Sequence, residues 1–322
     1  MNNILFCSAG RRCKLIKDFK ETIGDTGITV VAENSIYSPA RYVADKSYTV
    51  PKITAPDYID NIIEICRKED IKVILTLIDP EIEILAKNKA RFEEMGILVM
   101  CPSEKSAKIC FDKYEMYKYL RLNNIPTTLT YGSLEEFEKA LNEQKISFPV
   151  FVKPRTGSGS VGARKISNID DLRSAMKEDE TLIIQEFMAG IDLDADVYVD
   201  MISKKAVSMF SKKKIETRIG GANKTISFKD EKLFELIKKI VNIFEFNGTV
   251  DMDFFYKDGQ YFLSEINPRF GGAYLHAYGA GVNFPKLIVN NISGIANEEN
   301  IGNYEDNIMM LMYDDVVIEK LR

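Results

Sequence analysis

The chain has 322 residues, with 43 lysines and arginines against 48 aspartates and glutamates, for a formal net charge of −5. That length holds two or three domains around a substantial core, and the acidic balance lacks the basic footprint of a general nucleic-acid binder. A single histidine, His276, excludes a histidine-based triad or a multi-histidine metal site. Five cysteines (Cys7, Cys13, Cys66, Cys101 and Cys110) are odd in number, form no C-x-x-C and follow no signal peptide, so reduced thiols and a cytoplasmic location are expected. No apolar run approaches the roughly 20 residues of a membrane span, and no membrane partner is expected.

Residues 3–8 (NILFCS) read as a short buried strand. Ala9-Gly10-Arg11-Arg12 follows, then a helical pattern through Leu15, Ile16 and Phe19. Strand 28–32, helix 57–69, strand 71–78, helix 81–95 and strand 97–101 come next. Strands alternating with helices predict a parallel sheet covered on both faces, with ligands at the carboxyl ends of its strands. Two motifs lie at such ends. Ser8-Ala9-Gly10-Arg11-Arg12 is not G-x-G-x-x-G, so no dinucleotide site is assigned. Either Arg11 or Arg12 holds an anionic substrate group beside a helix N-terminus, or the segment is a solvated first turn. Asp79-Pro80-Glu81 recognises an amine or caps the following helix, and capping is the favoured reading.

Residues 104–122 read as one helix carrying Lys105, Lys108, Lys113 and Lys118, most of them solvated. Asn123-Asn124-Ile125-Pro126 ends it and marks a subdomain boundary. Ser133 caps helix 134–143, with Glu136 completing a capping box. A strand through Phe148–Arg155 then delivers Lys153 to the loop Thr156-Gly157-Ser158-Gly159-Ser160-Val161-Gly162. Glycines let backbone N–H groups approach phosphate oxygens, and Lys153 adds charge beside them. The loop lacks the G-K-[ST] ending of a P-loop, which disfavours that fold. Strand 181–185 leads into Glu186-Phe187-Met188-Ala189-Gly190-Ile191-Asp192. Strands 194–202 and 205–211 flank a Ser203-Lys204 turn. Lys212-Lys213-Lys214 and Arg218 then precede Gly220-Gly221-Ala222-Asn223-Lys224, and a run of charge is ordinarily a solvated face. Helix 230–245 presents Leu233, Leu236, Ile237, Ile240 and Phe244 on one face and is core.

The strongest chemical signal is GTVDMDFFYKDGQYFLSEINPRFGG, residues 248–272. Asp251 and Asp253 alternate with Val250, Met252 and Phe254, the period of a strand. Lys257-Asp258-Gly259 is a turn, and Gln260 to Ile266 returns as the second strand of a hairpin. Glu265 and Asn267 share one face of that strand, and Asp253 faces them from its partner. Hard oxygen donors on adjacent strands suit Mg2+ completed by phosphate oxygens, and Arg269 follows two residues later to meet the same anion. His276 faces an acceptor or is structural, the latter preferred. Helix 284–292 and terminal strands at 308–313 and 316–318 complete the chain.

The segment Glu265-Ile266-Asn267-Pro268-Arg269, with Lys153, the glycine loop and the Glu186–Asp192 hinge upstream in that order, resembles the ATP-grasp superfamily. Residues 1–103 resemble the domain preceding ATP-grasp in carbamoyl-phosphate-synthase-like proteins, and the nearest likeness is the large-chain-like group of single-module proteins. The resemblance implies an α/β chain: a parallel-sheet pre-ATP-grasp domain (1–103), then a two-subdomain α+β ATP-grasp fold (104–322) with a lid subdomain at 125–187. It implies ATP and Mg2+, with Mn2+ as the alternative ion, on Asp253, Glu265 and Asn267. Lys113 and Lys153 would hold phosphates under the lid, residues 156–162, of which Gly157, Ser158, Gly159, Ser160, Val161 and Gly162 would contact the nucleotide. Adenine would lie at Phe187 and Met188, beside Glu186. The ribose acid, usually glutamate, is here Asp192, with Asp194 as a substitute, and Arg269 would stabilise transferring charge. The basic run and its glycines resemble an acceptor-site loop. The implied chemistry is carboxylate–amine ligation through an acyl phosphate. Bicarbonate with ammonia, hydroxyl phosphorylation, or nucleotide binding without catalysis are the alternatives. Relatives are often dimers, so a homodimer is expected.

Overall fold

The computed structural model describes residues 1–157, 162–218 and 221–320. It opens on a run of strands and helices: β1 (Ile4–Cys7), α1 (Cys13–Ile23), β2 (Thr29–Glu33), α2 (Ala40–Val43), β3 (Lys46–Thr49), α3 (Tyr58–Lys68), β4 (Val73–Thr76), α4 (Asp79–Lys87), α5 (Lys89–Glu93) and β5 (Leu98–Met100). The five strands form one parallel sheet in the order β3-β2-β1-β4-β5. Every residue of β1 is buried, as a central strand covered on both faces requires. Ile4 and Phe6 pack on one side with Leu15 and Phe19 of α1, while Leu5 and Cys7 pack on the other with Tyr58 and Ile62 of α3. Phe6 and Phe19 meet edge to face at 4.8 Å. The edge strand β3 has no apolar signature, because none of its residues is buried, and the sequence did not announce it. The helix expected at 81–95 is two, divided at Asn88.

Next come α6 (Glu104–Phe111) and α7 (Lys113–Leu122), where one helix was expected. The break is at Asp112, whose extended backbone and carboxylate cap α7 by accepting the N–H groups of Tyr114 and Glu115, both at 3.0 Å. The following elements are β6 (Thr130–Tyr131), α8 (Leu134–Asn142), β7 (Val150–Pro154), β8 (Arg164–Ile166), α9 (Ile169–Glu178) and β9 (Leu182–Glu186). They make a four-stranded antiparallel sheet, β6-β9-β7-β8, with its own core of Phe137, Val150, Val152, Leu172 and Ile184. Ser133 caps α8 as expected, but Glu136 turns to the Gly132 N–H and the Tyr114 hydroxyl instead of closing the box.

The last part holds β10 (Ile191–Val199), β11 (Ala206–Arg218), β12 (Gly221–Phe228), α10 (Glu231–Ile243), β13 (Gly248–Lys257), β14 (Gln260–Asn267), α11 (Tyr274–Gly279), α12 (Phe284–Ile292) and β15 (Met309–Leu311). Six of these form an antiparallel sheet, β14-β13-β10-β11-β12-β15. Residues 316–318 are not a strand. The basic run 212–214 is no loop: it lies inside β11, which continues to Arg218. One hydrophobic core joins this sheet to the first domain, running from Phe6 and Leu75 to Val197, Met252 and Phe270. Gly248 marks the join. Its φ is +92°, and a Cβ there would sit 1.9 Å from Met100 Cγ, so only glycine fits. No helix among the described residues is long and apolar enough to cross a membrane.

Candidate active site

Four adjacent strands lay a sheet of charge on one face. In register, Lys212 of β11 stands opposite Asp194 of β10, Asp194 opposite Asp253 of β13, and Asp253 opposite Glu265 of β14. One step along, Asp196, Asp251 and Asn267 form a parallel row. Directly paired residues share a face, so a period-2 sequence on three strands becomes a two-dimensional array. Lys212 is fully buried, 3.0 Å from Asp194 and in contact with Asp196. Burial opposes its charge, but Asp194 and Asp196 outweigh that and hold its pKa above the ordinary lysine value. Lys214 lies between Asp192, at 3.0 Å, and Asp253. Burial pushes Asp196 up to about 6, and burial and Asp194 also raise the Asp251 pKa well above the ordinary carboxylate value.

The first domain closes this face. Asp79, the first residue of α4, takes two hydrogen bonds from Arg269, Nε to Oδ1 at 2.8 Å and Nη2 to Oδ2 at 3.0 Å. Arg269 Nη1 is also 3.6 Å from Asp251. Both acids lie in the first turn of α4, as the expected helix-end role requires, but neither makes a capping hydrogen bond. Asp79 grips the arginine, and Glu81 is buried, accepting from Thr76 Oγ1 at 2.6 Å and from the Tyr58 hydroxyl. Arg12 also reaches across, donating from Nη1 to the Gly271 carbonyl at 2.8 Å. Burial, then the neighbouring Arg269, pull the Arg12 pKa down to about 10, against Asp251, Asp79 and Asp196. Arg11 is exposed. A Cβ on Gly271 would stand 2.6 Å from Asp251 Oδ1 and 2.9 Å from Asp196 Oδ1, so this turn must be glycine to rest on the acids.

A recess opens between α4, α6 and the end of β14. It is bordered by Asp79, Lys113, Gly157, Glu265, Asn267 and Pro268, among others. Lys113 is buried at the start of α7, and its Nζ donates to the Gly157 carbonyl at 2.6 Å. Arg155 fixes the end of β7 to this helix, with Nε 2.8 and 2.7 Å from the Asp112 oxygens and Nη2 3.0 Å from Glu115. Lys153, on β7, has Glu265, Lys113 and Asp253 as charged neighbours. Burial lowers its pKa, Glu265 opposes that and Lys113 adds to it. Gly157 and Gly162 have φ of +101° and +74°. The other proposed loop residues, Ser158, Gly159, Ser160 and Val161, lie outside the described residues.

At the far end of β9, Glu186 accepts the Leu129 N–H at 3.4 Å and lies 3.8 Å from Lys257 Nζ. Phe187 is half-buried beneath Lys165, whose Nζ is 4.2 Å from the ring centroid, and Met188 is buried. Asp192, 40% exposed at its side chain, pairs with Lys214. His276 is buried 2.8 Å from Thr225 Oγ1 and against the Phe210 ring, and burial pulls its pKa down to about 4. Sequence reasoning missed Asp196, Asp251, Lys212 and Lys214 as members of this face. For Asp196 and Asp251 the available signal was their alternation with apolar residues along β10 and β13.

Residues 4–100 match the PylC-like, N-terminal domain family, and residues 110–273 match the ATP-grasp domain family. The D-alanine--D-alanine ligase of Francisella tularensis subsp. novicida is 26% identical over 193 residues, 55% of this chain and 63% of that protein. The chain spans 32% to 63% of the length of the first curated relatives it matches. N5-carboxyaminoimidazole synthetase from Staphylococcus aureus superposes with a TM-score of 0.73 at 18% identity, covering 93% of this chain and 79% of that one. L-amino acid ligase from Bacillus licheniformis does so with a TM-score of 0.68 at 16% identity, covering 92% and 75%.

Proposed function

We propose that this chain, which belongs to the ATP-grasp family, is an ATP-dependent ligase that joins a small-molecule carboxylate to an amine through an acyl phosphate. One observation carries the reading: Lys113 and Gly157 border the same recess as Glu265 and Asn267, so the residues proposed to bind phosphate lie beside those proposed to bind a divalent ion. Lys113 and Lys153 hold the ATP phosphates, and Glu186, Phe187, Met188 and Asp192 take the adenosine. Asp253, Glu265 and Asn267 fit Mg2+ or Mn2+, because they are hard oxygen donors on two strands in register. Lys214 also holds Asp253, but Glu265 and Asn267 border the recess, whereas the buried trio Asp194, Asp196 and Asp251 does not border it and has Lys212 against two of its members. A bound Mg2+ supplies charge neutralisation on the β- and γ-phosphate oxygens.

A carboxylate oxygen attacks the γ-phosphorus, the bond to ADP breaks, and an acyl phosphate forms. The amine then adds to the acyl carbon, and inorganic phosphate leaves with formation of the amide. Arg269, held by Asp79, stabilises negative charge on the transferring phosphoryl group and the tetrahedral intermediate. The named ligases among the relatives support amino acids as the first substrates to try.

A second reading, activation of bicarbonate with ammonia as nucleophile, follows from the carbamoyl-phosphate-synthase-like resemblance. The test is ADP and phosphate release with Mg-ATP across amino acids, singly and in pairs, with bicarbonate plus ammonia separately. Turnover requiring two amino acids, with the coupled product seen by mass, is the expected result. Turnover only with bicarbonate and ammonia selects the second reading. A stable phosphorylated product formed without any amine rejects both in favour of a kinase. ATP binding with no turnover rejects catalysis on these substrates.

A further inference from the structure

Lys214 holds two acids that the proposed reaction uses for other purposes. Its ammonium contacts Asp253 and lies 3.0 Å from Asp192. Asp253 is proposed to bind the divalent ion, and Asp192 the ribose. Lys214 stands on β11 and Asp253 on β13, so the side chain reaches across β10 to meet it. That side chain is only 13% exposed, which sets the pair apart from a loose surface contact.

Lys212, two residues earlier, shows a lysine of this sheet with a purely internal role. It is fully buried against Asp194 and Asp196, and neither acid borders the recess. The acids held by Lys214 are more open, with side-chain exposures of 40% for Asp192 and 24% for Asp253. A ligand can therefore reach them. Lysine is also a compact charge on a flexible four-carbon stem, able to leave one anion for another nearby.

A divalent ion on Asp253 has to share that carboxylate with the ammonium. Two cations on one carboxylate repel each other, and a nearly buried site screens the repulsion poorly. Phosphate oxygens resolve the conflict. They give the ion further negative ligands, and they give the lysine a partner it binds well.

We infer that Lys214 is a tethered counter-ion that keeps a bare divalent ion off Asp253, so that the ion enters only with a nucleotide whose phosphates take over the ammonium. The inference rests on the reading of Asp253 as an ion ligand, and the experiment separates the two.

The probe is Mn2+, titrated into the full chain without nucleotide and followed by loss of the free ion's EPR signal. Wild type should bind it weakly. Lys214→Met keeps a long stem and removes the charge, and should bind Mn2+ alone at least about tenfold more tightly than wild type. The same variant should bind Mn-ADP about tenfold more weakly, because a phosphate loses a charge-assisted bond. A lysine that only braced the strands would not move the two affinities in opposite directions. Unchanged or weaker binding of Mn2+ alone by Lys214→Met overturns the inference, and undiminished Mn-ADP affinity overturns the transfer to phosphate. If Lys214→Met does not fold, Lys214→Gln, which keeps a donor for Asp192, is judged by the same two signs. Adding Asp253→Asn to the variant should abolish the gained Mn2+ binding. Its persistence would place the ion elsewhere and reject the ligand reading together with the inference. Asp253→Asn alone weakening Mn-ADP, with no gain of Mn2+ binding in Lys214→Met, would leave the ligand reading standing and overturn only the role of the lysine.

Discussion

Arg269 and Asp79 are 190 residues apart in sequence and bound by a two-pronged ion pair, with both side chains almost buried at 11% and 12% exposure. The pair joins the N-terminal sheet to the hairpin that carries Glu265 and Asn267. It also locks the arginine in one orientation, so in the role proposed for it no reorganisation would be needed as charge develops beside it. Removing one partner of a buried pair strands the other. Asp79→Ala should therefore destabilise the fold by on the order of 3 kcal/mol, read from urea unfolding. It should also slow ADP release by about 100-fold once substrates are known. A variant with wild-type stability and turnover would show that Arg269 needs no positioning.

Glu265→Gln separates chemistry from folding. Glu265 borders the recess and stands opposite Asp253, and the amide preserves its size while removing the charge a divalent ion requires. ADP formation should be abolished with the unfolding midpoint close to wild type. Normal turnover by this variant would sink the metal assignment.

Lys153 makes a different prediction, because burial lowers its pKa and Lys113 adds to the effect. Lys153→Ala should raise the KM for ATP by about 10- to 150-fold, the worth of a charge-assisted hydrogen bond to phosphate. The sign of the shift adds a pH signature. A lysine with a lowered pKa loses its proton at a lower pH than a free one, so the wild-type KM for ATP should climb on the alkaline side before the ordinary lysine range. In Lys153→Ala that climb should be missing, and its persistence would assign the titration to another group.

The hairpin at 248–267 was legible because strand period, turn residues and oxygen donors all fall within one short segment. The parallel sheet was legible for the same local reason, apart from β3, which buries nothing. The break between α6 and α7 was also within reach: Asp112 with Glu115 three residues on is a cap signature, obscured by good helix formers on both sides. Lys212 and Lys214 were not legible. A lysine run reads as solvated, and only the registers of β10 and β13 put five aspartates around these two side chains. Asp79 was misread for a related reason. Local sequence offers it a helix N-terminus, and its real partner is defined only by the packing of two domains.

Asp200 carries the last prediction, away from the proposed site. Its carboxylate is fully buried just after β10. Its Oδ1 accepts the Ile202 and Ser203 N–H groups at 3.0 and 2.7 Å, and its Oδ2 accepts the side-chain amides of Asn291 and Asn297 at 2.6 and 2.8 Å and the Asn297 backbone N–H at 3.0 Å. Burial alone would raise the pKa, but these donors prevail and hold it at about 2, below the ordinary 3.8. A folded-state pKa below the unfolded one favours folding at neutral pH, and that contribution fades as pH falls from about 4 through 2. The shift corresponds to on the order of 2 kcal/mol. Asp200→Asn cannot lose a proton, so urea unfolding free energies of wild type and variant should converge by roughly that amount on acidification through this window. The variant should be the less stable protein at pH 7, since its amide turns a donor toward donors. Parallel pH profiles for the two proteins would show that the carboxylate charge is not what these five donors stabilise.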